Sequence, residues 1–356
     1  MSGSHVIGEA AVRAGCRYYF GYPITPQNEL PEYLSARMLE VGGTFIQGES
    51  EIASINMVLG AAVAGGRAMT SSSSPGIALK QEGISYMAGM ELPGVIVNIM
   101  RGGPGLGNIA PSAADYFQAT RGGGHGDYRT IVLAPTGCQE LAELTFAAFD
   151  LADKYSNPVI LLGDGLMGQV MEPVVFPDFI DLKDLPKKDW ILDGCEGREP
   201  RAIFSLLLGQ GDLTKHNLRL QEKYDRITAE EQRWEIQNTD DAEVIVVAYG
   251  TAARIAESAI EELHDEGLRA GLFRPITLWP FPLPPLRELS LKVPKVAVFE
   301  LSLGQMVEDV ILSVGERAGI YFYGVPGGNI PTPAEVATFL RSAAKGDGKV
   351  GRRIEV

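Results

Sequence analysis

Val95-Ile96-Val97-Asn98-Ile99-Met100, running directly into Arg101-Gly102-Gly103-Pro104-Gly105-Leu106-Gly107, decides the fold class of this chain. A largely apolar run of strand length is what a parallel strand covered on both faces requires. The same reading extends outward: 16–20, 44–47, 67–70, 130–133 and 159–162 read as strands, and 6–15, 27–38, 50–65, 77–88 and 139–155 as helices. Strand, loop and helix alternate throughout, which predicts an α/β fold with a doubly wound parallel sheet. In such a sheet the loops after the strands gather along one edge and carry the ligand contacts.

Four of those loops are candidates for chemistry. Gly21-Tyr22-Pro23-Ile24-Thr25-Pro26 holds two prolines, each fixing its own φ and pushing the residue before it toward extended geometry. Thr25 is thereby held with its hydroxyl and flanking carbonyls presented, either to a ligand or as a cap for the helix that Asn28 and Glu29 begin. Gly48-Glu49-Ser50-Glu51 opens a helix in which Ala53, Met57, Gly60, Ala61 and Ala64 recur at helical spacing, and that helix is expected to be nearly all buried. Glu51 either complements the helix dipole, worth under about 1 kcal/mol, or is a partly desolvated carboxylate suited to hydrogen-bonding a ring nitrogen. Ser71-Ser72-Ser73-Ser74-Pro75-Gly76 offers small hydroxyls and backbone N–H groups that cradle an anion or cap the next helix. Arg101 can bind a carboxylate or phosphate bidentately, with the glycines after it allowing close approach; the structural alternative is an ion pair with an acid such as Asp115. Arg121-Gly122-Gly123-Gly124-His125-Gly126-Asp127-Tyr128 is a second glycine-rich loop.

Length and composition bound the function. A chain of 356 residues suits two domains, and 45% hydrophobic residues with 42 Gly and 22 Pro describe a globular, loop-rich protein. A net charge of −14 argues against nucleic acid or an anionic membrane as main partner and suits docking to a basic subunit. Cys16, Cys138 and Cys195 are scattered without ligand spacing, so neither an iron–sulfur nor a zinc site is expected in this chain. The start, Met1-Ser2-Gly3-Ser4-His5, lacks the basic and apolar regions of a signal peptide, and no apolar run reaches the ~18 residues of a membrane span, so a cytoplasmic protein is expected. The first domain is read as 1–172, followed by a connector over 173–241 with a polar helix at 216–234, a second α/β unit over 242–340 and a tail over 341–356. The second unit's strands are expected within 242–250 and at 269–273, 295–300 and 320–323, making a small parallel sheet, and His216 and His264 are read as solvated.

Taken together, the motifs resemble the α subunit of the thiamine-diphosphate-dependent 2-oxoacid:ferredoxin oxidoreductases. The matching text is GYPITP at 21–26, ESEIASINM at 49–57, TSSSSPGIALKQEGISY at 70–86, MRGGPGLGN at 100–108, GGGHGDYR at 122–129, LADKYSNPVILLGDGLMGQ at 151–169 and RPITLWPFP at 274–282. It looks most like the branched-chain (3-methyl-2-oxobutanoate) subgroup, with the 2-oxoglutarate subgroup close. The resemblance implies that the first domain is the pyrimidine-binding half of a thiamine diphosphate site. Glu51 would hydrogen-bond N1′ of the aminopyrimidine, Tyr22, Pro23, Ile24, Ser73 and Ser74 would lie against the cofactor, and Thr25 and Arg101 would contact the 2-oxoacid, Arg101 on its carboxylate.

The resemblance further implies a β subunit carrying the diphosphate and Mg²⁺ half, so that this chain holds no metal ligand. Coenzyme A would be the acyl acceptor. Iron–sulfur clusters would sit on partner subunits, with a γ subunit, a ferredoxin-like δ subunit and ferredoxin completing the electron path. Gly163-Asp164-Gly165 looks like the start of the superfamily's metal signature, but no Asn-Asn pair follows, and it is read as a strand-end turn. The second unit resembles the transketolase C-terminal-like domain, with Gly250-Thr251 and Gly304-Gln305 in loops near subunit contacts and the coenzyme A side. A non-catalytic scaffold is the alternative of another class, although a scaffold needs none of Thr25, Glu51 and Arg101. A nucleotide-binding dehydrogenase fails because 102–107 lacks the GxGxxG register.

Overall fold

The computed structural model describes residues 1–348. Six strands, β1 (Tyr18–Gly21), β2 (Thr44–Gln47), β3 (Ala68–Ser72), β4 (Gly94–Met100), β5 (Ile131–Leu133) and β6 (Pro158–Asp164), run parallel in the order β5-β6-β4-β3-β1-β2. The intervening helices are α1 (Gly3–Arg13), α2 (Glu29–Glu40), α3 (Glu51–Val63), α4 (Ser74–Gly89), α5 (Tyr116–Arg121), α6 (Cys138–Tyr155) and α7 (Gly165–Gln169). All seven residues of β4 and of β6 are buried, as strands covered on both faces must be. Their side chains divide with period two: Val95, Val97 and Ile99 join one core with α1 and α6, while Ile96 and Met100 join the other with Ile55 of α3 and Ile84 of α4. The α/β, doubly wound parallel sheet expected from the sequence is present.

The second sheet contains β7 (Trp234–Gln237), β8 (Val244–Val247), β9 (Ala270–Pro275), β11 (Lys295–Glu300) and β12 (Gly319–Gly324), in the order β12-β11-β8-β9-β7. Helices α9 (Gly250–Asp265), α10 (Leu283–Lys292), α11 (Met306–Val314) and α12 (Pro333–Lys345) surround it, and α8 (Asp212–Glu230) precedes it. β7 lies in the stretch read as connector, yet it pairs antiparallel to β9, so this sheet is not wholly parallel. One strand crosses between units: β10 (Thr277–Trp279), from RPITLWPFP, pairs antiparallel with β5 and completes the first sheet at that edge. The stretch read as tail begins inside α12, and the remainder of it from 349 lies outside the described residues.

Side chains also lock the units together. Gln305 accepts a hydrogen bond from the Phe117 amide at 2.7 Å and donates to the Ala114 carbonyl at 2.6 Å. The Tyr116 hydroxyl and the Arg121 guanidinium both donate to Asp309, at 2.5 and 2.9 Å.

Two expectations are corrected. The helix at 50–65 is not nearly all buried: Ile52 is 47% exposed, Asn56 is also exposed, and Met57 is half-buried, because one face of α3 has no neighbour among the described residues. His216 is not simply solvated either. It is half-buried, and its Nε2 lies 2.7 Å from the Gly89 carbonyl while Nδ1 lies 2.8 Å from the Arg219 guanidinium, so it ties α8 to the end of α4.

Candidate active site

β4, β3, β1 and β2 are successive neighbours, so the loops leaving their carboxyl ends line up along one sheet edge. Those are the loops read from the sequence as chemical. Direct contacts draw them together. The Arg101 Nη1 donates to the Thr25 carbonyl and Nη2 to the Leu106 carbonyl, both at 2.9 Å. The Ser74 hydroxyl accepts from the Arg101 amide at 3.0 Å and donates to Asp115 at 2.5 Å.

Glu51 is the first residue of α3. Ser50 caps the helix, its hydroxyl accepting from the Ala53 amide at 3.2 Å, which leaves the Glu51 side chain uncommitted to capping. Glu51 is only 6% exposed, and among the described residues no protein hydrogen bond reaches its carboxylate. The carboxylate oxygens keep some solvent access, so a ligand's donor can reach them. Close approach of α4 shapes its surroundings: a Cβ added to Gly76 would lie 2.6 Å from Glu51 Oε1 and would collide with the Ser72 hydroxyl. The Ser72 and Ser73 hydroxyls are buried without partners in the same corner, although Ser73 stands at the N-cap of α4.

Arg101 is buried, and its Nε–H has no partner. The ion pair with Asp115 does not form. Asp115 instead accepts from Ser74 and from Asn98 Nδ2 at 2.9 Å; burial raises its carboxyl above the ordinary range, and those two donors oppose the rise. Thr25 is exposed, its hydroxyl 3.5 Å from Asn28 Nδ2; Tyr22 and Ile24 are half-buried and Pro23 is exposed. At the neighbouring strand end Asp164 caps α7, accepting from the Leu166 and Met167 amides at 3.0 Å each.

Three residues of this edge were not singled out from the sequence. Gln27 is fully buried and accepts from Ser71 at 2.5 Å, in a network that includes the Tyr19 hydroxyl. Gln81 accepts from the Gly123 amide and the Tyr128 hydroxyl, both at 3.1 Å, which docks the second glycine-rich loop on α4. Lys80 is fully buried with its ammonium 3.3 Å from the Glu51 carbonyl. Spacing could have exposed the last of these, since Lys80 follows Ile77 by three residues and precedes Ile84 by four, on the core face of the helix.

The geometry is a parallel-sheet edge presenting a buried, unpartnered carboxylate, orphaned hydroxyls and a buried guanidinium with a free N–H. Residues 9–235 match the model of the thiamine diphosphate-binding part of pyruvate flavodoxin/ferredoxin oxidoreductases, and residues 242–336 match core domain II of pyruvate:ferredoxin oxidoreductase. The chain belongs to this family. It is 47% identical to the ketoisovalerate oxidoreductase subunit VorB of Methanothermobacter thermautotrophicus, over 97% of each chain. It is 38% identical to the 2-oxoglutarate synthase subunit KorA of Archaeoglobus fulgidus, over 87% of this chain and 90% of that one.

Among solved structures, the 2-oxoglutarate:ferredoxin oxidoreductase of Magnetococcus marinus, with 2-oxoglutarate, coenzyme A and succinyl-CoA bound, superposes with a TM-score of 0.85 at 26% identity. That match covers 97% of this chain and 65% of the longer one. A split-gene transketolase shares the fold alone, at 14% identity and a TM-score of 0.62. As an α-type member of the 2-oxoacid:ferredoxin oxidoreductases, the chain is an enzyme subunit, and among the described residues no helix is long and apolar enough to cross a membrane.

Proposed function

We propose that this chain is the pyrimidine-side α subunit of a branched-chain 2-oxoacid:ferredoxin oxidoreductase that converts its substrate and coenzyme A to acyl-CoA, CO2 and reduced ferredoxin. The observation that carries the reading is the unpartnered Glu51 carboxylate on the same sheet edge as the free N–H of Arg101. Bound thiamine diphosphate supplies the electron sink that decarboxylation of a 2-oxoacid requires. Toward it, Glu51 holds a proton between its carboxylate and the ring nitrogen N1′, while Ser73 and Ser74 with Tyr22, Pro23 and Ile24 form the wall. Thr25 and Arg101 hold the 2-oxoacid, the guanidinium on its carboxylate.

A β subunit supplies the diphosphate and Mg²⁺ half. Exposed apolar side chains near these loops, Ile52, Leu79, Leu106 and Ile109 among them, support a partner that closes the site. A γ subunit, a ferredoxin-like δ subunit carrying iron–sulfur clusters and ferredoxin complete a cytoplasmic complex. The chain divides into a pyrimidine domain at 1–172, a connector and a transketolase C-terminal-like domain at 242–340. The branched-chain assignment is supported by the 47% identity to a ketoisovalerate oxidoreductase subunit. Identity of 38% to a 2-oxoglutarate synthase subunit favours a 2-oxoglutarate enzyme as the second reading.

The co-expressed complex, assayed with a viologen acceptor, is expected to show its highest kcat/KM with 2-oxoisovalerate among 2-oxoisovalerate, 2-oxoglutarate, pyruvate and aryl 2-oxoacids. A preference for 2-oxoglutarate would establish the second reading, and no reduction with any of them would leave a scaffold. Gly76→Ala places a methyl against Ser72 and Glu51 Oε1 without altering charge. It is expected to weaken thiamine diphosphate binding roughly tenfold, the scale of overpacking in a tight site. Cofactor titration of the assembled complex reads this, and wild-type affinity would remove Glu51 from the contact.

A further inference from the structure

The glycine-rich loop after β4 is closed by its own backbone. The Gly102 amide donates to the Ala110 carbonyl and the Asn108 amide to the Gly102 carbonyl, both at 2.9 Å, and Arg101 and Pro111 form an antiparallel bridge at the base. Gly107 permits this closure: its φ is +57°, and a Cβ there would collide with the Gly102 carbonyl. Within the ring, the Arg101 guanidinium holds the Leu106 carbonyl at the tip. Residues 103–109 are all exposed.

Asn108 ties this exposed tip to the second unit. Its Nδ2 donates at 2.7 Å to the Gly327 carbonyl, in the turn between β12 and α12, and its Oδ1 accepts from the Ala110 amide at 3.0 Å. The side-chain amide fits in this orientation alone, because turning it over would set donor against donor and acceptor against acceptor. The same turn comes closest at Gly328, whose φ is +90° and where an added Cβ would collide with that of Ala110. Further along, the second unit fixes the base of the loop. The Ala113 amide donates to the Leu301 carbonyl at 2.9 Å, and Gln305 grips Ala114 and Phe117.

We propose that Asn108 is a positioning residue for Arg101: by clamping the loop tip to the Gly327–Gly328 turn it sets the Leu106 carbonyl that aims the guanidinium, so the second unit contributes to binding of the 2-oxoacid. The inference rests on reading Arg101 as the carboxylate contact. A guanidinium meets a carboxylate as a planar fork, so its tilt decides whether both prongs engage. One prong of that fork holds Leu106, two residues from Asn108. A tip free to swing releases the prong, and small displacements of a positioning group weaken binding steeply.

The test measures KM and kcat of the co-expressed complex for the 2-oxoacid. Asn108→Asp keeps the acceptor for the Ala110 amide and loses the donor to Gly327, while Gly328→Ala disturbs the same contact from the other side without adding charge. Each is expected to raise KM about three- to tenfold, the scale of one lost hydrogen bond. The accompanying change in kcat should stay within about twofold, as expected when binding alone is weakened. The melting temperature of Asn108→Asp should match wild type, since Gln305 and Asp309 still join the units. Because Asn108 acts through Arg101, adding Asn108→Asp to Arg101→Ala is expected to raise KM by less than about twofold further.

Wild-type KM in Asn108→Asp overturns the proposal. So does a rise that multiplies in full on the Arg101→Ala background, which would make the effect independent of the guanidinium. A lowered melting temperature with KM unchanged also overturns it, leaving Asn108 a structural fastening. Arg101→Ala separates the two readings. Wild-type KM in that variant defeats the role of Arg101 and this inference with it, whereas a raised KM there beside an unaltered Asn108→Asp defeats only the clamp.

Discussion

Glu51→Gln is expected to lower turnover of the assembled complex by about 10²–10⁴-fold, the range a positioned acid–base group contributes. The amide has the shape of the carboxylate and can still donate a hydrogen bond to a ring nitrogen. It cannot release and recover a proton there, which is the step asked of Glu51. Folding and assembly should survive, because α3 is capped by Ser50 and among the described residues none depends on the Glu51 carboxylate for a hydrogen bond. Viologen reduction, cofactor binding and co-elution of the subunits are measured together. Wild-type turnover in a correctly assembled variant would end the assignment.

Arg101→Ala is expected to raise KM for the 2-oxoacid by roughly 10- to 100-fold, the loss that follows when a hydrogen bond to a charged group is removed. The geometry adds a second consequence. The same guanidinium holds the carbonyls of Thr25 and Leu106, so its removal also releases the two loops that frame the substrate. Arg101→Lys separates the effects, since an ammonium keeps the charge but cannot span both carbonyls as a planar fork does. If the carboxylate contact dominates, lysine recovers part of the KM; if loop anchoring dominates, lysine resembles alanine and kcat falls as well. An equal rise in KM for coenzyme A in Arg101→Ala would count against a carboxylate contact.

What was legible in the sequence follows from locality. The bounds of β2 and β11 coincide with the runs 44–47 and 295–300, because alternating or apolar strand patterns end at glycine, proline or charge. Thr25, Glu51, Ser73, Ser74 and Arg101 each follow a strand, and parallel order alone brings such residues to one edge. What was not legible is non-local. β7 and β10 are short and have no pattern of their own; each exists because a distant strand, β9 or β5, offers an unpaired edge. For α3, a run of Ala, Gly and Met tells of close packing without saying whether the neighbour belongs to the same chain. At Lys80 the residue type suggests solvent, whereas its helical position puts it in the core.

β10 has a bearing on how this protein can be divided. Three strands of the other sheet intervene in the chain before the strand that closes the first sheet at β5. A fragment cut where sequence similarity changes from one family model to the next, between 235 and 242, would carry every residue of the candidate site and yet expose β5 as a raw edge, open to pairing with other copies of itself. The two halves are thus separable as text but interlocked as objects, and fusions or fissions of genes built on this plan have to carry the segment 277–279 along with the half it mends.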